Sequence, residues 1–285
     1  MAQHTLPPRQ RRRGPARGSR TSLRTLGWTL GAVTLVVALG LGLFVVLGNG
    51  SGGSAPGAPA VPVAGPGAAD LPVSDTHADL PAAPPDPDPT GATDGVVVHP
   101  LRSTPVHDTP AGAPFATVGP TQFGDAWFPV VDDRGDWVQI LLPSKPSGSA
   151  GWIRAEDVER AATPYRVAVH LGSRTLEIRE GDRSLGTWPV AVGAAGTPTP
   201  TGRTFLLGAF SDPGQDFSPV ILPLGVHSPT LDTFGGGPGT VAFHGWPDDS
   251  TFGEAVSSGC LRVPDDALDL LTAVPLGTLV TIDQN

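Results

Sequence analysis

The sequence predicts a mainly β protein built from a membrane anchor helix, a small β-barrel, and a larger β domain with one short helix. Three observations support this fold class. Residues 27–48 form a run of 22 residues without a charge. Short β-rich runs broken by Gly, Pro and Asp follow from residue 94 onward. Residues 264–272 carry the start signals of a helix, with a proline at the first position and two aspartates behind it.

The N-terminal region is predicted to anchor the chain in a membrane. At a helical rise of about 1.5 Å per residue, residues 27–48 span a hydrocarbon core of roughly 30 Å. Residues 1–69 contain seven arginines and no Asp or Glu, and all seven precede the apolar run. The positive-inside rule then makes residues 1–26 a basic cytoplasmic tail and places the part of this single-pass protein that follows the anchor outside the cytoplasm. The alternative is a cleaved signal peptide, whose apolar part is usually shorter, at about 7–15 residues.

Residues 49–93 are predicted to be a disordered linker that holds the body away from the membrane. Pro, Gly, Ala and Asp dominate this stretch, and it shows no apolar periodicity. The whole chain of 285 residues contains 33 Pro and 38 Gly. Residues 70–285 carry all 27 acidic residues and 11 basic ones, a net charge of −16. Such an acidic body is unsuited to nucleic acid, because the phosphate backbone would repel it.

Residues 94–161 are predicted to form a small β domain. The stretch "VVDDRGDWVQI" is typical of a hairpin with its turn at Asp-Arg-Gly. The stretch "DWVQILLPSKPSGSAGWIRAEDV" resembles the end of a bacterial SH3-like domain. That resemblance implies a barrel that binds cell-wall peptides or braces a neighbouring catalytic domain.

Residues 164–285 are predicted to form an all-β sheet or sandwich with one short helix. "YRVAVHL" and "TLEIRE" flank a short turn, which is typical of a hairpin. The prolines of "AAGTPTP" exclude that segment from a ladder interior. Further strands are predicted at "SLGTWPVAVG", "TGRTFLLGAF", "TVAFHGW" and "GTLVTID".

The single cysteine, Cys260, is the first candidate for chemistry. A lone cysteine cannot form a disulfide within its own chain, and an exported protein with an odd cysteine carries a free thiol. A thiol becomes a nucleophile when a neighbouring base takes its proton. His244 ends a predicted strand sixteen residues earlier and is preferred as that base over His227 and His170. One cysteine and scattered histidines give no recognised zinc spacing, and no cofactor motif is present, so no metal or cofactor is expected.

Gly259 precedes the cysteine and allows a sharp backbone turn. In such a turn the amides of Ser258, Gly259 and Cys260 would face the oxyanion of a tetrahedral intermediate. The alternative is that Gly259 only completes a turn.

The stretch "HGWPDDSTFGEAVSSGCLRV" is similar to the signature of the L,D-transpeptidase catalytic domain (YkuD-type). The upstream "TPTGRTF" resembles the family's Thr-Pro-x-Gly-x-Phe segment, with Phe205 one residue late. Two departures stand out: Ser258 replaces a common histidine, and Trp246 replaces a small polar residue, which would reshape the acceptor side of the cleft. The matching positions of the first stretch are His244, Gly245, Gly253, Ser257, Gly259, Cys260 and Arg262.

The resemblance implies an enzyme that cross-links peptidoglycan stem peptides outside the membrane. Cys260 would attack the carbonyl between the third residue, a diamino acid, and a terminal D-Ala, and His244 would act as general acid and base. A thioester would form, and an amine of a second stem would resolve it. Carbapenem-type β-lactams would be covalent inhibitors. The alternatives are an L,D-carboxypeptidase that uses water, a non-catalytic wall-binding protein, and a regulatory subunit of a membrane complex.

Supporting roles are predicted for four further features of residues 164–285. Arg262 either orients a substrate carboxylate or braces the cysteine loop, and both readings stay open. Ser257 is expected to bond either the catalytic histidine or that loop. Residues 209–239, rich in Gly and Pro, are predicted to form a lid over the cleft. His227 either lines this lid or is an ordinary loop residue.

Overall fold

The computed structural model describes residues 70–285, and these form a mainly β protein with one α-helix. The predicted cytoplasmic tail (1–26), the predicted anchor (27–48) and the first part of the predicted linker (49–69) lie outside the described residues. Among residues 70–285, no helix is both long and apolar enough to cross a membrane.

The first β unit is a seven-stranded sheet in which every pairing is antiparallel. Its strand order is β3-β2-β6-β5-β4-β1-β7. The predicted Asp-Arg-Gly turn joins β4 to β5, where Gly135 has a φ of 75°. The prediction of an SH3-like barrel over 94–161 remains a prediction. The strands are β1 (Val96–Pro100), β2 (Thr104–His107), β3 (Pro114–Val118), β4 (Phe128–Asp133), β5 (Trp137–Leu141), β6 (Ala150–Arg154) and β7 (Val158–Ala162).

The segment before this sheet is ordered, so the prediction of a disordered linker is wrong for residues 70–93. Its backbone pairs with the sheet through isolated bridges at Val73, Asp79 and Pro85. Leu80 is buried at 4% exposure, and Asp86 forms a buried ion pair with Arg203. Composition pointed to disorder because the segment has few apolar residues. Its order instead comes from contacts with residues that follow much later in the chain.

The second β unit contains twelve strands and the helix. A five-stranded sheet has the order β10-β9-β8-β19-β12, and a three-stranded sheet has the order β13-β16-β18. The strands are β8 (Tyr165–His170), β9 (Thr175–Glu180), β10 (Arg183–Pro189), β11 (Val192–Gly193), β12 (Gly202–Phe205), β13 (Ile221–His227), β14 (Thr233–Phe234), β15 (Gly237–Pro238), β16 (Thr240–His244), β17 (Ala255–Ser257), β18 (Leu261–Arg262) and β19 (Leu279–Asp283). The helix is α1 (Asp265–Ala273).

These two sheets and α1 share one hydrophobic core, as expected for a β-sandwich. In β8 the buried residues alternate along the strand, so Val167 and Val169 face the core. In β16 and β18, Phe243 and Leu261 are fully buried and lie side by side in a parallel pair. Leu268 of α1 closes the core. The predicted mainly β fold with one short helix is therefore confirmed.

A second core joins the two β units. Phe205 at the end of β12 packs against Phe128 of β4, with ring centroids 5.8 Å apart. Leu207 and Leu279 of the second unit and Leu80 of the N-terminal segment belong to the same buried cluster. The two β units therefore pack around a common apolar layer rather than being separated by a linker.

The predicted lid over residues 209–239 is only partly a loop. Its middle, β13, is a buried strand that pairs with β16, and a register shift between Pro223 and His227 accommodates the proline. The part that overhangs the cleft is the short hairpin of β14 and β15, which has Gly235 and Gly236 at its turn. Prolines and glycines suggested a loop throughout, but the proline lies at an irregularity of the ladder, where its missing N–H is tolerated.

Candidate active site

The structure brings His244 and Cys260 to one cleft. β16 and β18 pair in parallel with His244 opposite Arg262, and Cys260 lies two residues before Arg262. Both side chains line a cavity of about 180 Å³ and a second cavity of about 530 Å³. Cys260 is partly exposed, so its thiol is not sealed inside the core. The parallel register explains how residues sixteen positions apart meet.

His244 is held in a single tautomer by its own backbone. Its Nδ1 lies 2.7 Å from the carbonyl oxygen of Gly245. A carbonyl oxygen only accepts hydrogen bonds, so Nδ1 carries the proton and donates it. In the neutral ring Nε2 is then the unprotonated nitrogen, which is the atom that a general base needs.

The surroundings of His244 favour the neutral form of its ring. Burial lowers the pKa of His244 below its ordinary value, and the charge of Arg262 lowers it further, while the bond to Gly245 opposes both. Phe217 contacts the ring edge-on, with centroids 5.0 Å apart. A neutral histidine is able to accept a proton at neutral pH.

Cys260 is also held neutral in the resting site. Burial raises the pKa of the Cys260 thiol, while the backbone of Ala242 and the charge of Arg262 lower it. The dominant cause favours the thiol over the thiolate. With both side chains favoured in their neutral forms, a thiolate at Cys260 would form only when a base takes the thiol proton.

The cysteine loop is braced by hydroxyl groups. Ser257 Oγ accepts a hydrogen bond from the Gly259 amide at 3.1 Å and donates one to the Cys260 carbonyl. Thr199 Oγ1 donates to the Gly259 carbonyl and accepts from the Gly193 amide, both at 2.9 Å. Of the two partners predicted for Ser257, the histidine and the cysteine loop, its hydroxyl therefore bonds the loop.

Gly259 has a φ of 113°, a conformation that side-chain-bearing residues rarely adopt. The turn predicted before Cys260 is thus present. However, the Gly259 amide is already bonded to Ser257, so the prediction that this amide serves an oxyanion hole is wrong. The loop uses it internally. The amides of Ser258 and Cys260 stay as predicted donors.

Arg262 and Trp246 form one wall of the smaller cavity. The guanidinium carbon of Arg262 lies 3.5 Å from the centroid of the Trp246 ring, a cation–π arrangement. The Nε of Arg262 is buried and has no hydrogen-bond partner among residues 70–285. Trp246 also lies near the ring of His244, with centroids 6.1 Å apart. Arg262 is the only cation among the described residues that line either cavity. Trp246, which departs from the resembled signature, therefore supports this cation.

His227 does not line either cavity, so the prediction that it faces the cleft is wrong. Its Nε2 bonds the carbonyl oxygen of Pro143 in the first β unit at 2.9 Å, and its side chain is buried. Burial lowers the pKa of His227. β13 turns this side chain toward the neighbouring unit, and the residue joins the two units.

Several residues of the site carried no signal in the sequence. Ser218 Oγ accepts a hydrogen bond from the Gly245 amide at 2.8 Å and so helps to hold Gly245, whose carbonyl sets the histidine tautomer. Phe217 comes from a loop and Phe234 from the two-residue strand β14, and neither lies in a periodic sequence pattern. The role of Thr199 was signalled only by the Thr-Pro motif. Within residues 70–285, no group of three or more His, Cys, Asp and Glu side chains is arranged to hold a metal ion.

Comparisons with known proteins agree on one family. The model of the L,D-transpeptidase catalytic domain, YkuD, matches residues 164–282. The putative L,D-transpeptidase YkuD of Bacillus subtilis is 31% identical over 168 residues, covering 56% of this chain and 95% of the relative. The protein of the same name from Bacillus licheniformis is 38% identical over 152 residues, covering 50% of this chain and 85% of the relative. Among solved structures, L,D-transpeptidase 3 of Mycobacterium tuberculosis with a faropenem-derived adduct matches at 14% identity and a TM-score of 0.36, covering 54% of this chain and 96% of that one.

Proposed function

The chain belongs to the L,D-transpeptidase (YkuD) family, and we propose on that premise that it cross-links peptidoglycan stem peptides through a thioester on Cys260. The observation that carries the proposal is the shared cleft of His244 and Cys260, in which the histidine tautomer is fixed. The hydrogen bonds that hold the cysteine loop and Gly245 support the proposal, because they fix the positions of both side chains.

The first half-reaction forms the thioester. Nε2 of His244 takes the proton of the Cys260 thiol as the sulfur attacks the carbonyl carbon between the third residue and the terminal D-Ala. The carbonyl oxygen becomes an oxyanion, for which the amides of Ser258 and Cys260 are the proposed donors. When the C–N bond breaks, the imidazolium gives its proton to the departing amino group of D-Ala.

The second half-reaction regenerates the thiol. An amine of a neighbouring stem attacks the thioester carbonyl, and His244 takes the proton that this amine releases. The C–S bond then breaks, and the proton passes to the sulfur of Cys260. The product is an amide between two third-position residues. An L,D-carboxypeptidase would follow the same course with water in place of the amine.

The charge beside the cysteine supports the proposed substrate. Arg262 beside the cysteine offers a positive charge for the terminal carboxylate of the donor stem. The same geometry suits a carbapenem, whose strained β-lactam carbonyl would acylate Cys260 and whose carboxylate would meet Arg262. We therefore propose carbapenem-type β-lactams as covalent inhibitors.

The sequence also motivates a proposal for the location of the enzyme. We propose that residues 27–48 anchor it in the cell membrane, with the arginine-rich tail in the cytoplasm and the catalytic unit toward the wall. Fractionation of cells that produce the full chain, with protease added outside, tests this topology. The catalytic unit should be degraded or released while the tail is protected.

The activity itself is tested with muropeptides that carry tetrapeptide stems. Mass spectrometry of the products after incubation with the purified full chain should show dimers and free D-Ala. Tripeptide monomers without dimers would show the carboxypeptidase reaction instead. Neither product should form with Cys260→Ser or His244→Gln, and product formation by Cys260→Ser would contradict the proposal.

A further inference from the structure

The first β unit contributes an aromatic side chain to the larger cavity of the catalytic cleft. Phe123, in the loop between β3 and β4, lines the cavity of about 530 Å³ that ends at His244 and Cys260. Six large apolar side chains are exposed within residues 70–285, and three of them, Phe123, Phe210 and Phe234, line this one cavity. Exposed aromatic residues gathered around one opening indicate a binding surface.

The position of Phe123 is built into the fold. Its φ is 54°, an outlier for a bulky residue, and such strain persists only where the surroundings enforce it. Its ring stacks on Phe210 of the catalytic unit, with centroids 5.6 Å apart and planes 16° apart. Gly208 makes room for it, because a Cβ at that position would lie 2.5 Å from the Cβ of Phe123.

The loop around Phe123 is closed by its own hydrogen bonds. The Gln122 amide bonds the Gly124 carbonyl at 2.8 Å, and the Ala126 amide bonds the Pro120 carbonyl at 2.9 Å. Gly124 has a φ of 113°. The loop therefore presents the ring in one fixed orientation, which reduces the entropy lost when a ligand binds to it.

The charges around Cys260 distinguish the two cavities. Among the described residues, the smaller cavity is lined by one positively charged side chain, Arg262. The larger cavity is lined by one negatively charged side chain, Asp212. A donor stem ends in a carboxylate and is complementary to Arg262. An acceptor stem brings an amine, which is an ammonium ion in solution and is complementary to Asp212.

We propose that Phe123 is a specificity-determining residue for the acceptor stem, which enters through the larger cavity. This inference rests on the proposed transpeptidase function. Asp212 attracts the ammonium group at the entrance, and the amine loses a proton to solvent before it attacks. Phe123 and Phe210 contact the aliphatic part of the acceptor's diamino side chain. The first β unit thereby takes part in choosing the acceptor, in addition to supporting the catalytic unit.

The test varies the acceptor while the donor is fixed. The full chain is given a tetrapeptide muropeptide as donor and increasing amounts of a tripeptide muropeptide, which only accepts. Phe123→Ala should require roughly five- to tenfold more acceptor for half-maximal dimer formation, as expected for the loss of one aromatic contact. Its rate of acylation by a carbapenem should stay unchanged. Leu101→Ala is the matched control, because Leu101 is an exposed apolar residue of the same unit that does not line the cavity.

Phe210→Ala removes the same stack from the catalytic side and should shift the acceptor dependence in the same direction, which keeps the test decisive if Phe123→Ala folds poorly.

An acceptor dependence of both variants equal to that of wild type would overturn the inference. So would equal losses in acylation and transfer. A wild type that is acylated but only hydrolyses the thioester also overturns it, whereas a wild type that is never acylated at Cys260 overturns the proposed function itself.

Discussion

The Nδ1 atom of His244 donates a hydrogen bond to the carbonyl oxygen of Gly245, the next residue, across 2.7 Å. A side chain that bonds the carbonyl of the next residue cannot rotate without losing that bond, so Nε2 keeps one direction. Ser218 in turn accepts a hydrogen bond from the amide of Gly245, the residue that supplies this carbonyl. The base of the proposed reaction is thus oriented by backbone and a serine, where other nucleophile–base pairs use a carboxylate.

The lowered pKa of His244 predicts the pH dependence of acylation. The reactive form has a neutral imidazole, so the rate rises with pH through the pKa of His244 and is level at neutral pH. Since burial lowers this pKa from its ordinary value of 6.5, the rise should lie below pH 6.5. The second-order rate constant for carbapenem acylation, measured from pH 4.5 to 8, checks this.

His244→Gln should remove the acid limb of that profile and leave only a slow rise at alkaline pH, because burial raises the pKa of Cys260 above its ordinary value of 9.0. A wild-type rate that climbs continuously from pH 7 to pH 9 would mean that the thiolate forms without help from His244.

Substitution of Gly259 should separate activity from stability. Gly259→Ala forces a side chain into a φ of 113°, which costs about 1–3 kcal/mol in stability and turns the cysteine loop away from its present course. Gly253→Ala is the matched control: its φ is 87° and a Cβ there meets nothing within 4 Å. Chemical denaturation should show similar losses for both variants, and acylation of Cys260 should fail only in Gly259→Ala. Full acylation of Gly259→Ala would show that the turn does not position the sulfur.

Replacement of a buried threonine by valine should destabilise the protein at Thr199 but not at Thr204. Thr199→Val leaves the Gly193 amide and the Gly259 carbonyl without their hydroxyl partner, which costs about 1–3 kcal/mol and slows acylation. Thr204 Oγ1 is buried and has no hydrogen-bond partner within residues 70–285. Thr204→Val should therefore be neutral or stabilising by about 1 kcal/mol. Urea unfolding of the two variants tests the pair, and equal destabilisation would contradict the assigned bonding.

The buried ion pair between Asp86 and Arg203 predicts that residues 70–93 contribute to the stability of the folded body. Both side chains are 2% exposed, and Arg203 also bonds the Gly91 carbonyl. Asp86→Ala leaves a buried guanidinium uncompensated, which should cost about 3–5 kcal/mol of unfolding free energy. Asp133→Ala, which removes a partly exposed pair with Arg160, should cost less than about 1 kcal/mol. The double variant Asp86→Ala, Arg203→Met should recover part of the loss.

Local pattern was sufficient for much of the fold. The helix was predicted at 264–272 and lies at Asp265–Ala273, because proline and aspartates suit a helix start and the apolar residues behind them pack into the core. The two β-rich runs on either side of a short turn likewise predicted the hairpin of β8 and β9. The helix-start residues and the hairpin turn each involve only a few neighbouring residues, so they predict local structure without knowledge of tertiary contacts.

What the sequence could not predict depends on partners far along the chain. The order of residues 70–93 rests on Arg203, more than a hundred positions later. His227 turns toward Pro143 rather than the cleft, and Phe123 reaches the cleft from the other β unit. Within the candidate site, the spacing of sixteen residues between His244 and Cys260 was enough to predict that both lie in one cleft. The use of the Gly259 amide inside its own loop was not.

The central claim is that Cys260 is the nucleophile, and the mass of the intact protein after exposure to a carbapenem tests it most directly. The wild type should gain the mass of one inhibitor molecule, and Cys260→Ala, confirmed as folded by its unfolding transition, should gain none. An adduct of the same mass on Cys260→Ala would contradict the claim, and so would a wild type that stays unmodified.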